Sequence, residues 1–234
     1  MVTSPAAPLA LSPHTQPVQT RHGLMRANPD DFHPGRALLE YGACCELESA
    51  VLRQLLVRPG VVVEVGANIG VHTVALAREA RPRRQVRVAF EPQPVIFQNL
   101  GANLAANGIT NVLAWPYACG SDAGTLYFAR PDYASPDYAS PGNFGAVSMQ
   151  AGPAASTIPV PCVRLDDALR SHTVSLIRLD VEGFVSRAAG RSGDARALPP
   201  DALRGERPAG PLAGTDRMVV VEAIPAVVAS ATAV

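Results

Sequence analysis

The chain has 234 residues and a formal net charge of zero, enough for one α/β domain with a hydrophobic core. A neutral chain offers no overall field that would favour nucleic acid or an anionic membrane as a partner. No charged leader precedes an apolar run near the first residue and no apolar stretch approaches roughly 18 residues, so we expect a cytoplasmic protein. None of the four cysteines stands in a CxxC pair, which predicts free thiols and no zinc site.

The first 36 residues are rich in Pro, Ala, Thr and Gln and have no hydrophobic period. This composition predicts a disordered leader. Apolar residues at helical spacing then predict a helix over about 46–57, which Pro59 and Gly60 end.

From residue 61 onwards, predicted strands alternate with predicted helices. The run Val61–Val65 is almost entirely β-branched, which is typical of a strand buried on both faces of a parallel sheet. The further predicted strands are 86–90, 112–117, 126–129, 156–164 and 174–179, with helices over 71–80 and 95–107. This alternation predicts an α/β fold with a doubly wound, mainly parallel, Rossmann-like sheet.

The last segment, 184–234, interrupts this pattern. It is rich in Arg, Ala, Gly and Pro and has no apolar period before residues 218–221, which predicts an aberrant, poorly ordered tail and a sheet incomplete at its C-terminus. One hypothesis is a frameshift near 184–188, because one permitted coding of 202–208, shifted by a base, encodes an apolar strand with acidic and amide residues at its end. A natural variant tail is the alternative. The folded core is then 37–183.

Acidic residues stand at or just after the ends of three predicted strands: Glu64, Glu91, and Asp180 with Glu182. Ligands of open parallel sheets bind beyond these carboxyl ends. The turn Gly66–Gly70 lets the backbone approach a ligand, and the helix after it offers N–H donors that suit a carboxylate. A cationic amine suits Glu64, and the two hydroxyls of a ribose suit Glu91.

The glycine turn differs from the dinucleotide fingerprint G-x-G-x-x-G, since Asn68 stands at the second glycine. An acid two residues before the first glycine also fits a nucleoside that carries an amino acid better than a pyrophosphate. An NAD-dependent oxidoreductase nevertheless stays open as an alternative.

Five segments in this order resemble the FkbM-type methyltransferases, and the resemblance covers roughly residues 41–183. These segments are Val61–Thr73, Ala89–Pro92, Asn107–Asn111, Asn143–Met149 and Leu176–Gly183. The resemblance implies a Rossmann-like methyltransferase fold, S-adenosyl-L-methionine as cofactor and O-methylation as activity. The residues that it implies around the methionine part of the cofactor are Glu64, Gly66, Asn68 and Gly70. It further implies that Glu91 holds the ribose, and that Asp180 and Glu182 face the methyl acceptor.

Several side chains have competing interpretations. Asp180 is the predicted general base or hydroxyl-orienting group, but Asp180 and Glu182 would alternatively cap a following helix or hold a metal. Asp122 is predicted to contact the adenine amine, or else to be a simple turn residue. His72 lies within reach of a substrate, although a partly buried position on the helix face is the favoured interpretation.

We expect the acceptor to be a hydroxyl of a small molecule or sugar, with neither nucleic acid nor membrane as partner. Because the C-terminal segment departs from the family pattern, an inactive nucleoside-binding module of the same fold is the alternative to an active enzyme.

Overall fold

The computed structural model describes residues 14–56, 59–80, 86–129, 142, 144, 149–150, 152–154, 156–180 and 219–222. The strands are β1 Gln16–Thr20, β2 Gly23–Ala27, β3 Val61–Val65, β4 Arg87–Phe90, β5 Val112–Trp115, β6 Ala118–Cys119, β7 Gly124–Ala129, β8 Met149–Gln150, β9 Thr157–Val163, β10 Val174–Leu179 and β11 Val219–Glu222. The helices are α1 Gly35–Tyr41, α2 Glu46–Leu55, α3 Val71–Ala80, α4 Pro94–Ala106 and α5 Leu165–Ala168.

A five-stranded parallel sheet in the order β11-β10-β3-β4-β5 forms the centre of the molecule. The helices α3 and α4 connect consecutive parallel strands, as right-handed βαβ units require. The predicted α/β class with a parallel, Rossmann-like sheet is therefore confirmed.

Strand β3 is buried at every position, which is why its sequence is a continuous β-branched run. Its odd positions, such as Val63, pack with Val88, Phe90 and Ile177 on one face. On the other face Val62 packs with Leu52 of α2 and other apolar side chains. Burial on both faces fixes the register of this strand. The register in turn fixes the position at which the turn after β3 begins.

A second sheet, in the order β6-β9-β7-β8, accounts for the strands that were predicted over 126–129 and 156–164. Its longest pairing, between β7 and β9, is antiparallel, and its own small core contains Phe128, Val160 and Cys162. The sequence predicted these strands without indicating that they leave the parallel sheet.

The predicted disordered leader over 1–36 is wrong for its described part, residues 14–36. Strands β1 and β2 form an antiparallel hairpin whose side chains Met25 and Ala27 are fully buried. The open edge of β2 is satisfied by side chains of α4: Asn103 Oδ1 accepts the Arg26 N–H at 2.7 Å, and Asn107 Nδ2 donates to the Leu24 carbonyl at 2.7 Å. Residues 1–13 lie outside the described part.

The predicted tail over 184–234 also lies outside the described part, except for β11, which pairs in parallel with β10. Both the frameshift and the natural variant tail stay predictions. In the described part of the chain, no helix is long and apolar enough to cross a membrane.

Candidate active site

The turn between β3 and α3 has three residues in the left-handed region: Gly66 (φ 80°), Asn68 (φ 51°) and Gly70 (φ 90°). A Cβ atom on Gly70 would stand 2.6 Å from Leu100 Cδ1 of α4, so glycine is required both by the backbone angle and by the close packing of the helix. The conformation of the turn thus depends on its own glycines and on the packing of α4 against Gly70.

The N–H groups of this turn are already used inside the protein. Those of Gly66 and Ala67 donate to the Phe90 carbonyl, and that of Gly70 donates to the Ala67 carbonyl. The first intrahelical hydrogen bond of α3 runs from the Val74 N–H to the Gly70 carbonyl at 2.8 Å. The donors without an intrahelical acceptor are consequently those of residues 71–73, at the positive end of the helix dipole.

Glu91 follows β4 and lies beside this turn. Its Oε2 accepts the Asn68 N–H and its Oε1 accepts the Gln93 N–H, both at 2.9 Å. Each carboxylate oxygen has two lone pairs, so one on each oxygen is left after these bonds. This is the arrangement that a pair of ribose hydroxyls needs.

Burial raises the pKa of the Glu91 carboxyl to about 7, although its two backbone N–H donors lower the pKa. The negative charges of Asp180 and Glu64 raise it further. Near neutral pH the carboxyl therefore changes its charge easily, and a donor that prefers the ionised form would shift it towards the carboxylate.

Glu64 is buried in the sheet, with Oε2 accepting a hydrogen bond from Thr73 Oγ1 at 2.6 Å. Arg178 Nη1 lies 3.6 Å from its Oε1, so the protein itself provides a cation where the sequence suggested a cofactor amine. Among the described contacts Oε1 nevertheless has no hydrogen-bond partner. An unsatisfied buried carboxylate oxygen retains the capacity to accept from a cationic amine.

Asp180 follows β10, and its N–H donates to the Val65 carbonyl at 2.9 Å, which joins it to the end of β3. Its side chain is 45% exposed, and Oδ2 accepts from Arg178 Nη2 at 2.8 Å. A carboxylate that is oriented and accessible can accept a proton from a bound hydroxyl. Glu182 lies outside the described residues.

Asp122 lies in the turn between β6 and β7, within the second sheet's connections. It is exposed and accepts a hydrogen bond from Ser121 Oγ at 2.8 Å, as a turn residue would. Its predicted contact with the adenine amine stays a prediction.

Arg178 is the main residue that sequence reasoning missed. Its buried guanidinium contacts three carboxylates: Glu64, Asp180, and Glu48, whose Oε1 accepts from Arg178 Nε at 2.7 Å. The only sequence signal was an arginine inside an otherwise apolar strand, since buried arginines require acidic partners.

A second polar cluster adjoins this network, where α2 and α3 begin. His72 Nε2 lies 3.1 Å from Glu48 Oε2, and His72 Nδ1 lies 2.9 Å from Ser49 Oγ. The structure thus bears out a buried helix-face position for His72. Burial opposes the protonation of His72, but hydrogen bonds with Cys45 and Glu48 raise its pKa to about 9.

The pKa values of the two thiols next to this histidine, Cys44 and Cys45, are shifted in opposite directions. The hydrogen bond from Cys44 lowers the pKa of the Cys45 thiol and raises that of Cys44 itself. Of the two thiols, Cys45 is therefore the more readily deprotonated.

A parallel α/β sheet with a glycine turn and a buried acid at the end of the next strand defines a nucleoside-binding site of the Rossmann-like class. Residues 64–184 match the methyltransferase FkbM domain. The chain belongs to this methyltransferase family, which uses S-adenosyl-L-methionine.

Two solved structures are similar to parts of the chain. The first is M. jannaschii TYW2 in complex with AdoMet: TM-score 0.33 and 21% identity, covering 45% of this chain and 44% of that one. The second is Trm5b from Pyrococcus abyssi: TM-score 0.33 and 15% identity, covering 43% of this chain and 27% of that one. The chain thus spans less than half the length of either. No curated protein sequence matches the chain.

The residues present fit the cofactor of this family. Glu91 retains lone pairs for two hydroxyls, and the first turn of α3 has N–H groups for a carboxylate. Glu64 Oε1 is a buried acceptor that faces Arg178 at 3.6 Å but has no hydrogen-bond partner among the described residues. These three features correspond to the ribose, the amine and the carboxylate of an amino-acid nucleoside.

Proposed function

We propose that this methyltransferase transfers a methyl group from S-adenosyl-L-methionine to a hydroxyl group of a small molecule or sugar. The observation that supports this most strongly is the position of Glu91. Its buried carboxylate is held by the Asn68 N–H within the glycine turn and keeps acceptor capacity on both oxygens.

In this proposal the cofactor lies across the ends of β3 and β4. Glu91 holds the ribose hydroxyls, while Glu64 and the start of α3 hold the methionine part. Gly66, Asn68 and Gly70 shape the turn so that its backbone passes close to the ligand. Asp122 contacts the adenine amine. Core residues 37–183, together with the hairpin that packs on α4, carry this site.

The bound cofactor supplies a methyl group that is already activated on a sulfonium. What the protein must add is alignment of the acceptor and a place for its proton. Asp180 would accept the proton of the acceptor hydroxyl, and the cofactor would supply the methyl group to that oxygen and leave as S-adenosylhomocysteine. Arg178 binds Oδ2 of Asp180 and holds the carboxylate oriented. Glu182 faces the same acceptor.

The experiment that tests this proposal measures S-adenosylhomocysteine formation with a panel of sugars and small hydroxyl compounds, and with RNA as a further acceptor. We expect turnover with a hydroxyl compound. Asp180→Asn should then lower kcat by about 10²–10⁴-fold, the usual contribution of a general base. Its affinity for S-adenosylhomocysteine should be unchanged. The matched control is Asp167→Asn, because Asp167 lies on the exposed start of α5 and pairs with Arg170.

Each other result has a definite meaning. Methylation of RNA alone would overturn the acceptor class. Tight cofactor binding without turnover on any acceptor would favour an inactive nucleoside-binding module. Full turnover by Asp180→Asn would remove the proposed base while leaving the cofactor site intact.

A further inference from the structure

Three metal-ligand side chains converge where α2 and α3 begin: two lie close together at the start of α2, and the third lies on α3. The thiol of Cys45, a carboxylate oxygen of Glu48 and an imidazole nitrogen of His72 all lie within 4.8 Å of one another. His72 is buried, and the other two are half-buried. Its three side chains belong neither to the glycine turn nor to Glu91, although His72 stands just after Gly70 and Glu48 shares Arg178 with Asp180.

The backbone places two of these groups on one short stretch. Cys45 is the N-cap of α2 and has φ 58°, a left-handed conformation that side chains other than glycine rarely adopt. Its side chain makes no capping hydrogen bond to the helix. Local strain without a capping contact is typical of residues that are held for a function, and here it directs the thiol towards the first-turn residue Glu48.

The imidazole of His72 is oriented as metal-ligating histidines are. Its Nδ1 lies 2.9 Å from Oγ of Ser49, a fully buried residue. This leaves Nε2 facing Glu48 Oε2 at 3.1 Å. An outer hydrogen bond to one ring nitrogen fixes the ring, so that the other nitrogen can bind a metal ion that displaces its proton.

Glu48 is held in the same manner. Its Oε1 accepts from Arg178 Nε at 2.7 Å, while Oε2 faces the histidine. One oxygen is thus anchored by the protein and the other is directed into the cluster. In both His72 and Glu48, therefore, one polar atom is held by a neighbouring side chain and the other faces the cluster.

We propose that Cys45, Glu48 and His72 bind one Zn²⁺ ion. A thiolate, an imidazole and a carboxylate form a donor set that suits zinc, and three protein ligands leave one position of the tetrahedron open. The ion takes the place of the direct contact between Glu48 and His72. The spacing of the cysteines alone predicted no zinc site, because two of the three ligands are not cysteines.

A second group of potential ligands, His33 with Cys44 and Cys45, is less suitable. The sulfur atoms of Cys44 and Cys45 lie 2.8 Å apart, whereas two thiolates on one tetrahedral zinc, each about 2.3 Å from the ion, are separated by about 3.8 Å. Cys44 is therefore assigned no ligand role, and it becomes the matched control.

The test uses the full chain, purified under reducing conditions and freed of metal. Zn²⁺ affinity is measured by competition with a chromophoric chelator, and Co²⁺ serves as the spectroscopic probe. We expect one Zn²⁺ per chain and a thiolate-to-cobalt charge-transfer band. Cys45→Ser should abolish this band and weaken Zn²⁺ binding by more than about 100-fold. Ser49→Ala should weaken Zn²⁺ binding by about 10–100-fold, as the loss of an outer partner does.

Cys44→Ser and Cys119→Ser should keep both the band and the affinity. Thermal unfolding of each metal-free variant shows whether the fold is retained, and Glu48→Gln provides a second ligand variant should Cys45→Ser be unstable. The proposal is overturned by the absence of 1:1 binding, by a cobalt spectrum without a thiolate band, or by equal losses in Cys44→Ser and Cys45→Ser.

Discussion

Two neighbouring parts of the site hold their carboxylates in different ways. Glu91, at the end of β4, is held by backbone N–H groups of Asn68 and Gln93. Glu64 and Asp180, at the ends of β3 and β10, share the side chain of Arg178. The backbone donors lie 2 and 23 residues from Glu91 in sequence, whereas the guanidinium also reaches Glu48 of α2, 130 residues away.

This difference indicates what each part depends on. The Glu91 side depends on the shape of one turn, so changes in backbone angle should damage it most. The Arg178 side depends on one buried cation, so the loss of that charge should damage it most. The predictions below separate these two dependences.

The largest stability effect is expected for Arg178→Met. This change leaves Glu64 buried without the contact to Arg178, removes a partner of Asp180, and leaves Glu48 with His72 alone among its described ion pairs. Breaking a buried ion pair from one side costs about 3–5 kcal/mol, which urea unfolding would measure. The control is Arg170→Met, whose exposed pair with Asp167 should contribute less than about 1 kcal/mol. Equal losses in the two variants would contradict the assigned role of the buried guanidinium.

Gly70→Ala tests the part of the site that depends on the backbone conformation of the glycine turn. The left-handed angle costs about 1–2 kcal/mol for alanine, and the contact with Leu100 adds about 1–3 kcal/mol of overpacking. Gly101→Ala is the matched control, because its added methyl group meets nothing within 4 Å on α4. There we expect a gain of about 0.5–1 kcal/mol. Similar unfolding curves for the two variants would show that the turn is not constrained.

The ionisation of Glu91 should make the free energy of unfolding depend on pH. Its pKa is raised from 4.5 to about 7, so between these values the folded state binds more protons than the unfolded state. The free energy of unfolding should therefore fall as pH rises from about 4.5 to 7, by on the order of 3 kcal/mol. The difference between wild type and Glu91→Gln, from urea unfolding at several pH values, isolates this contribution. A pH-independent difference would refute it.

A smaller effect is expected at Asn103, which joins the hairpin to the glycine turn. Its Nδ2 donates to the Ile69 carbonyl at 2.8 Å, and its Oδ1 accepts the Arg26 N–H. Asn103→Ala leaves buried groups unpaired and should cost about 1–3 kcal/mol in urea unfolding. Asn99→Ala is the control, since Asn99 donates only within its own helix, and it should change stability by less than Asn103→Ala does.

Sequence reasoning predicted best what depends on nearby residues. The buried run of β3, the turn after it and the acid at the end of β4 all have local patterns, and the parallel sheet follows from their alternation. The hairpin was missed because β2 is satisfied by Asn103 and Asn107 of α4, about 80 residues away in sequence. A short hairpin with a polar first strand and such distant partners has the composition of a disordered segment.

The site shows the same limit. Acidic residues at strand ends could be located from the sequence, but the sharing of Arg178 among three carboxylates could not. Likewise, Cys45 and His72 belong to different helices, and only the packing of α2 on α3 brings them together. Contacts of this kind depend on tertiary packing and leave no spacing signal in one sequence.

The most direct test of the central claim, that Glu91 beside the glycine turn holds the nucleoside, is calorimetric titration of S-adenosylhomocysteine into wild type and Glu91→Gln. Hydrogen bonds to a charged group contribute about 1.5–3 kcal/mol, so the affinity of the variant should fall by about 10- to 100-fold. Glu46→Gln, which alters a surface pair with Arg21, should bind like wild type. Undiminished binding by Glu91→Gln, or tighter binding of NAD than of S-adenosylhomocysteine, would contradict the account.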